Sequence, residues 1–472
     1  MGMFKINIHD LESRKSEIIK NSVGLDYSDY EYEGIGFDYD KLMNESGFTF
    51  DEVKSIQKES MVGNTPLIEL KNMTRYVRKF SQKGHGARIF LKDEAGNLSG
   101  SFKARRAAIS VYKAKKMGYK GVIAATSGNY GAAVAALAAK HGLKCIIVQE
   151  CFDSKNVAQP EILEKARACE AYGAEVIQLS VGPELFYTFL HLLDETGYFN
   201  ASLYSPYGVM GIETLGHEIA TEIKVNEGKF PEAVICTNAG GGNLTGTARG
   251  LQNAKATKTK VIGASVDLYG LHMASDDDFN RKSFTTGHTG FGIPFAVNPD
   301  RSDVPRSAAR PLRYMQEYYT VNQGSVFFIT EALAVLEGLE RGPAGNTSLA
   351  VAFKLAQTMK EDEIIVVQES EYTGAGKHHQ PQLSFAKNKN IELLFGNPMD
   401  EKAGENIVFP KSGQDIDVNK LDMDKIKKSY LKKYMDNKLE NPDIEFLCKE
   451  LNITQEHYKK LMEEAQHERK KR

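Results

Sequence analysis

The sequence predicts an α/β protein built on parallel sheets and divided into two subdomains. Along the middle of the chain, short apolar runs alternate with segments of helical pattern. The runs are hydrophobic at successive positions, which indicates strands covered on both faces. Repeated strand–helix units of this kind form parallel sheets. Because there are more units than one small sheet needs, we expect two α/β subdomains.

The apolar runs predict the strands in order. They lie at residues 87–91, 122–125, 145–149, 175–179, 233–236, 261–266 and 364–367. The helical patterns between and after them lie at residues 104–117, 132–141, 160–172, 209–223, 331–339 and 347–359. Residues 267–325 are polar and rich in Gly and Pro, which is typical of an irregular functional loop inside an enzyme.

Both ends of the chain differ in composition from the core predicted at residues 61–385, whose smaller subdomain spans roughly 95–215. Residues 1–60 are acidic and Tyr-rich, with short helices at 40–43 and 49–57. We expect an arm that packs on the core or on a partner subunit. Residues 386–472 are dominated by Lys, Asp and Glu and predict a helical extension, with helices at 425–437, 442–451 and 454–467.

Composition excludes several classes of protein. The 472 residues are 41% hydrophobic and 26% charged, with a net charge of −2, which is ordinary for a globular protein and gives no reason to expect nucleic acid. No apolar run approaches the roughly 18 residues of a membrane span, and residues 1–21 lack the apolar core of a signal peptide. Five scattered cysteines without a CxxC pair predict no metal site or disulfide framework and fit the cytoplasm.

The segment at residues 99–106 contains the first candidate catalytic group. It follows an apolar run and a polar turn, so that Lys103 falls at the start of the predicted helix. The positive end of a helix dipole disfavours an ammonium ion there. A lysine that reacts as a neutral amine forms Schiff bases with aldehydes such as pyridoxal phosphate. The alternative is a solvated lysine at a helix N-terminus.

Three further loops follow the carboxyl ends of predicted strands, where parallel sheets bind ligands. The glycine loop at 240–246 offers successive amides to a phosphate, although Asp267 after the next strand leaves a dinucleotide site as a rival. The loop at 126–131 offers hydroxyls and amides to a carboxylate, unless Ser127 merely caps the helix. Thr373 stands at a strand exit, where its hydroxyl can bond a ring nitrogen or simply belong to a polar turn.

Five ordered motifs together resemble the fold-type II pyridoxal-phosphate enzymes, a family that includes threonine synthase, the tryptophan synthase β chain and cysteine synthase. They are residues 63–67 (Gly-Asn-Thr-Pro-Leu), 99–103 (Ser-Gly-Ser-Phe-Lys), 126–129 (Thr-Ser-Gly-Asn), 240–246 (Gly-Gly-Gly-Asn-Leu-Thr-Gly) and 373–377 (Thr-Gly-Ala-Gly-Lys). The resemblance implies two parallel-sheet subdomains with the cofactor between them.

The resemblance also implies roles for individual residues. Lys103 is the Schiff-base lysine, Asn129 bonds the phenolic oxygen of the cofactor, and Thr373 faces its pyridine nitrogen. The phosphate is held by Gly240, Gly241, Gly242, Asn243 and Leu244. The substrate carboxylate is held by Thr126, Ser127 and Gly128. One position departs from the family pattern, since Ala104 replaces the usual Asp after the lysine.

A neutral Thr opposite the ring nitrogen leaves that nitrogen largely unprotonated, which weakens the ring as an electron sink. The whole chain resembles the β subunits of pyridoxal-phosphate thiolases of ornithine fermentation. This implies an acyltransferase that cleaves 2-amino-4-oxopentanoate with coenzyme A to acetyl-CoA and alanine, beside a small α subunit and as a β–β dimer. The alternative is a threonine synthase-like enzyme of β-elimination or replacement. Residues 113–120 carry lysines for nucleotide phosphates or form a solvated face.

Overall fold

The computed structural model describes residues 8–32, 36–126, 128–152, 158, 160–180, 184–268, 303–372, 379–436 and 443–470. The chain divides into two compact units. The first consists of Met1–Val62, Lys103–Gly211 and Pro299–Ala308, and the second of Gly63–Phe102, Ile212–Asn298 and Ala309–Arg472.

Thirteen strands are numbered here in chain order within the described residues. They are β1 Leu67–Glu69, β2 Arg88–Asp93, β3 Gly121–Thr126, β4 Lys144–Phe152, β5 Glu175–Ser180, β6 Phe199–Asn200, β7 Ala233–Thr237, β8 Lys260–Val266, β9 Glu317–Val321, β10 Ile364–Glu369, β11 Glu392–Gly396, β12 Asn406–Pro410 and β13 Val418–Lys420.

The α-helices of the described residues alternate with these strands through the middle of the chain and dominate its two ends. They are Ile8–Ser13, Lys15–Val23, Tyr39–Glu45, Phe50–Glu59, Lys71–Arg78, Lys103–Lys116, Asn129–His141, Pro160–Ala171, Glu184–Thr196, Pro206–Glu227, Gly242–Asn253, Gln323–Glu337, Pro343–Ala356, His379–Asn388, Met423–Asp436, Ile444–Leu451 and Gln455–Lys470.

The first unit contains a four-stranded parallel sheet in the order β5-β4-β3-β6. Five of the six residues of β3 and six of the nine residues of β4 are buried, as expected of parallel strands covered by helices. The Ala-rich helix Asn129–His141 connects them and is buried from Tyr130 to Ala138. Small alanine side chains let this helix approach the sheet closely, so the carboxyl end of β3 leads directly into its N-terminus.

The second unit contains a seven-stranded sheet in the order β1-β2-β10-β7-β8-β9-β13, together with the parallel pair β11–β12. Strands β2, β10, β7, β8 and β9 run parallel, and the outer strands β1 and β13 are antiparallel to their neighbours. The carboxyl ends of β7 and β10 therefore share one edge. The predicted α/β class with parallel sheets is confirmed.

Two adjacent helices of the second unit, the part of Pro206–Glu227 after Gly211 and Gly242–Asn253, contact each other through glycines. A Cβ at Gly216 would lie 2.0 Å from the carbonyl oxygen of Thr247, and one at Gly250 would lie 1.9 Å from that of Glu213. Neither distance leaves room for a side chain. The helix that follows the glycine loop is therefore held directly against its neighbour by backbone contact.

Each predicted strand and helix is present, with shifted ends. The largest difference concerns residues 317–325, which the sequence predicted as part of an irregular loop and which form β9 and the start of Gln323–Glu337. This helix begins eight residues before the predicted start because the Glu401 carboxylate accepts the main-chain N–H groups of Gln323 and Gly324 at 2.7 and 2.9 Å. A cap supplied from so far along the chain leaves no local pattern.

The three helices predicted after residue 420 are present, and the strands β11 to β13 precede them. Among the described residues, no helix combines the length and the apolar character needed to cross a bilayer. The described part of the chain also holds no group of three or more His, Cys, Asp or Glu side chains placed to bind a metal ion.

A buried ion cluster holds the β2 strand of the second unit. The Lys92 ammonium is fully buried and lies 3.0 Å from a Glu218 carboxylate oxygen and 2.6 Å from one of Glu222. It also donates to the main-chain oxygen of Thr65 at 2.7 Å. Removing the cation from such a cluster leaves acids with no compensating charge, which costs more than removing an exposed partner.

We therefore expect Lys92→Met to lower the free energy of unfolding by about 3 kcal/mol. Lys260→Met is the matched control, because Lys260 is 58% exposed in its 3.1 Å ion pair with Glu317, and its loss should cost under about 1 kcal/mol. Urea denaturation at neutral pH measures both. Equal losses in the two variants would contradict a stabilising role for the buried cluster.

Candidate active site

The helix Lys103–Lys116 begins at the candidate Schiff-base lysine. The chain enters it through the turn Leu98–Gly100, where Ser99 and Gly100 have φ of 61° and 71°. A left-handed backbone at a serine is costly, so the turn must be held by its surroundings. Lys103 is half-buried and stands in a first turn without acidic residues. It therefore lies at the positive end of the helix dipole, as the sequence predicted.

The main chain before Lys103 pairs with the main chain that leaves β10. The Phe102 N–H donates to the Ser370 carbonyl at 3.0 Å, and the Tyr372 N–H donates to the Gly100 carbonyl at 2.9 Å. These residues all belong to the second unit. The segment that leads to Lys103 is thus fixed beside the segment that leads to Thr373, although Thr373 itself lies outside the described residues.

The motif at residues 63–66 braces the same approach to Lys103. The Asn97 side chain accepts the Gly63 N–H at 2.9 Å and donates to Glu94 at 2.7 Å. The Thr65 hydroxyl donates to the buried Glu94 carboxylate at 2.6 Å. Gly63 and Thr65 thus bond residues that immediately precede the lysine turn, while the Asn64 N–H donates to the Glu218 carboxylate at 3.1 Å.

On the first unit, the lysine end of the helix is anchored from two sides. The Gln57 amide donates to the carbonyls of Arg105 and Gly211 at 3.0 and 2.6 Å. The buried Arg106 guanidinium donates to the Gly208 carbonyl at 3.1 Å. Ala104, where the family has Asp, is fully buried. A carboxylate there would need a partner inside the protein.

The loop predicted to bind the substrate carboxylate leaves β3 at the buried Thr126. Its hydroxyl accepts the Gly128 N–H at 3.1 Å, and Asn129 opens the next helix. The Asn129 Oδ1 atom is buried and has no hydrogen-bond partner among the described residues. The same amide carries the Nδ2 donor, which is the group that the predicted bond to the phenolic oxygen of the cofactor requires. Ser127 lies outside the described residues.

Sequence reasoning missed one cation beside this loop. Lys165 of the helix Pro160–Ala171 is buried, and its Cγ lies 3.8 Å from where a Cβ on Gly128 would be. Its aliphatic stem therefore packs against the predicted carboxylate loop. The available signal was topological, because this helix follows the strand β4 next to β3.

The glycine loop of the second unit connects β7 to the helix Gly242–Asn253. Gly241 has φ of 84°, and a Cβ on it would lie 2.7 Å from the Pro311 ring. Only glycine fits there without strain. The N–H of Thr245 bonds the Gly241 carbonyl, so the amides of residues 242–244 precede the helical ladder and point out of the helix N-terminus.

Two buried side-chain atoms in this helix, Asn243 Oδ1 and Thr245 Oγ1, have no hydrogen-bond partner among the described residues. The Thr245 hydroxyl can donate to a phosphate oxygen, whereas the Asn243 Oδ1 atom only accepts. A helix N-terminus whose first amides precede the helical ladder suits a phosphate. The residues present in this loop therefore fit the phosphate of pyridoxal phosphate.

The exit of β10 has the opposite electrostatic character. Asp93 and Glu369 are paired across β2 and β10, and Arg341 holds the Asp93 carboxylate with its Nε at 2.8 Å. Burial, followed by the nearby Glu371 and Asp93 carboxylates, raises the pKa of Glu369 well above its usual range. The buried acids make the exit of β10 unsuitable for an anion, in contrast to the glycine loop that follows β7.

The predicted site residues fall on both units. Lys103, Thr126, Gly128 and Asn129 belong to the first, while Gly240, Gly241, Gly242, Asn243 and Leu244 belong to the second. Ser127 and Thr373 lie outside the described residues, and the roles assigned to all of these residues stay predictions.

Comparison with known proteins identifies the class. The family profile "Pyridoxal-phosphate dependent enzyme" matches residues 58–370, so the chain belongs to that family, and its cofactor is pyridoxal phosphate. One relative, the 2-amino-4-ketopentanoate thiolase beta subunit of Acetoanaerobium sticklandii, is 63% identical over 456 residues, covering 96% of this chain and 97% of that protein. A protein of the same name from an unknown prokaryotic organism is 58% identical, with 93% of both chains covered.

Solved structures agree on the fold. A pyridoxal 5'-phosphate-dependent aspartate racemase superposes with a TM-score of 0.54 at 19% identity, covering 69% of this chain and 95% of that chain. The serine racemase of Dictyostelium discoideum gives 0.52 at 18% identity, covering 68% and 97%. At these identities the likeness shows the shared fold-type II architecture, which confirms the predicted fold.

The glycine loop generates a direct test. We expect Gly241→Ala to weaken pyridoxal phosphate binding roughly tenfold or more, because a displaced loop loses phosphate hydrogen bonds worth about 1.5–3 kcal/mol each. Gly338→Ala is the matched control, since Gly338 has a similar φ of 69° with no atom within 4 Å of the added Cβ. Absorbance titration of the apoprotein measures both. Unchanged affinity in Gly241→Ala would contradict the phosphate assignment.

Proposed function

We propose that this chain is the cofactor-carrying subunit of a thiolase that cleaves 2-amino-4-oxopentanoate with coenzyme A to acetyl-CoA and alanine. The observation that carries the proposal is the 63% identity along nearly the whole length of a 2-amino-4-ketopentanoate thiolase beta subunit. Lys103 at a helix start and the glycine loop at a second helix start support it, because both are local features that the cofactor needs.

The bound cofactor would supply an electron-withdrawing ring that stabilises negative charge at carbons next to the substrate amino group. Lys103 would hold the cofactor and then move a proton from and to the substrate carbon that bears the nitrogen. Thr126, Ser127 and Gly128 would orient the substrate carboxylate, and Asn129 would donate to the phenolic oxygen. Thr373 would face the ring nitrogen as a neutral hydroxyl.

We assign the positioning of the coenzyme A thiolate at the C4 carbonyl of the substrate to a complex of this chain with other subunits. The relatives are named as beta subunits, which supports a small α subunit as partner, beside a β–β dimer of this chain. A cytoplasmic location is supported by the five free cysteines, four of them buried. Burial raises the pKa of Cys151 to about 11 and that of Cys236 to about 12, so these thiols are inert.

Borohydride reduction tests Lys103. We expect the reduced cofactor to be attached to Lys103 in peptide mapping, and Lys103→Ala to lose both the attachment and nearly all turnover, because no other amine would take its place. Lys140→Ala, at an exposed position near the end of the helix Asn129–His141, is the control and should retain both. Attachment of the cofactor to another lysine in the unmodified protein would refute the assignment.

The subunit requirement is tested by acetyl-CoA formation. We expect this chain alone to bind the cofactor and the amino-acid substrate but to form little acetyl-CoA, and co-expression with a small subunit to restore thiolysis, because the reacting thiol must be positioned within about 3–3.5 Å. Full thiolysis by the lone chain would remove the partner claim. Release of ammonia from amino acids without coenzyme A would instead favour the threonine synthase-like alternative.

A further inference from the structure

Three polar side chains of the second unit form a closed group behind the glycine loop. Asn238 follows β7, Ser265 lies on β8 and Tyr318 lies on β9, and all three are buried. The Asn238 Nδ2 group donates to the Tyr318 hydroxyl at 3.3 Å, and the Ser265 hydroxyl donates to the main-chain carbonyl of Asn238 at 2.9 Å. A third, short hydrogen bond joins the hydroxyls of Ser265 and Tyr318.

The number of protons on each group determines which atom donates in each of these hydrogen bonds. A serine hydroxyl has one proton, and Ser265 uses it on the Asn238 carbonyl, so Tyr318 must be the donor to Ser265. The hydrogen bonds then run in one direction around a ring, from Tyr318 to Ser265, to Asn238, and back to Tyr318. Burial raises the pKa of Tyr318, so that its hydroxyl keeps the proton that the ring requires.

This ring fixes the point where the glycine loop begins. Asn238 is held through its side chain and its carbonyl by the ring, and its N–H donates to the Ala264 carbonyl at 2.8 Å. Gly240 comes two residues later. The Tyr318 side chain reaches Asn238 only because position 263 is glycine, where a Cβ would lie 2.7 Å from the tyrosine ring. The glycine at position 263 therefore leaves the space that the Tyr318 ring occupies.

We propose that Tyr318 is a positioning residue for the cofactor phosphate, acting through Ser265 and Asn238 to hold the glycine loop so that the amides of residues 242–244 converge on one point. The proposal rests on the proposed phosphate role of residues 240–244. Tyr318 has no contact with the phosphate in this scheme. Its effect should therefore appear only for ligands that carry a phosphate, and pyridoxal without phosphate should not respond.

The test uses the apoprotein of the full chain, titrated with pyridoxal phosphate and with pyridoxal, and the ³¹P resonance of the bound cofactor. We expect Tyr318→Phe to weaken pyridoxal phosphate binding about tenfold, since it leaves buried polar groups unsatisfied, to leave pyridoxal binding unchanged and to shift the ³¹P resonance. Tyr319→Phe is the matched control, because this hydroxyl bonds Glu317 instead, and it should change none of the three.

Two further variants keep the outcome decisive. Ser265→Ala breaks the same ring without altering the tyrosine and should reproduce the selective loss if Tyr318→Phe fails to fold. Gly241→Ala tests the loop itself, because the added Cβ meets the Pro311 ring and displaces the main chain that carries the amides. Selective weakening in Gly241→Ala with wild-type behaviour of Tyr318→Phe and Ser265→Ala would overturn the positioning role alone. Wild-type phosphate affinity in Gly241→Ala would overturn the loop assignment, and equal weakening of both ligands in Tyr318→Phe would also refute the proposal.

Discussion

The site depends on the main-chain pairing of residues 100–102 with residues 370–372. Strands β2 and β10 run parallel in register from Arg88 and Ile364 to Asp93 and Glu369, and the pairing resumes beyond their ends through Phe102 and Tyr372. Main-chain hydrogen bonds do not require a particular side chain. The backbone conformation that permits these bonds does depend on the residue type, because Gly100 has a φ of 71°, which glycine adopts readily. The segment of the second unit that leads to Lys103 is thereby held beside the exit of β10.

The sequence predicts this fold well where the physics is local. A parallel strand buried on both faces is a short run of apolar residues, and the seven such runs all form strands. The sequence predicts the elements less well where an element is held by residues that are far away in the chain. The helix Gln323–Glu337 begins early because of Glu401, and the edge strand β13 is only three residues long, with one apolar residue. Neither leaves a periodic pattern within its own window.

The candidate site shows the same division. Lys103 and the glycine loop could be predicted because a helix start and a glycine run after a strand are visible in sequence. The residues that support Lys103 and the glycine loop could not be predicted. Gln57, Glu94 and Tyr318 act through contacts between segments that are far apart in the chain. The predicted roles of Ser127 and Thr373 lie outside the described residues and stay predictions.

The order of strands in the seven-stranded sheet also constrains how the protein is made. Strand β10, at residues 364–369, lies between β2, at 88–93, and β7, at 233–237. During synthesis β2 and β7 leave the ribosome long before β10, so the main-chain groups of both strands that pair with β10 stay unpaired until β10 has been made. Sheets closed by such distant segments form slowly. A nascent or truncated chain that ends before residue 364 should thus engage chaperones or proteases, since the centre of its sheet is missing.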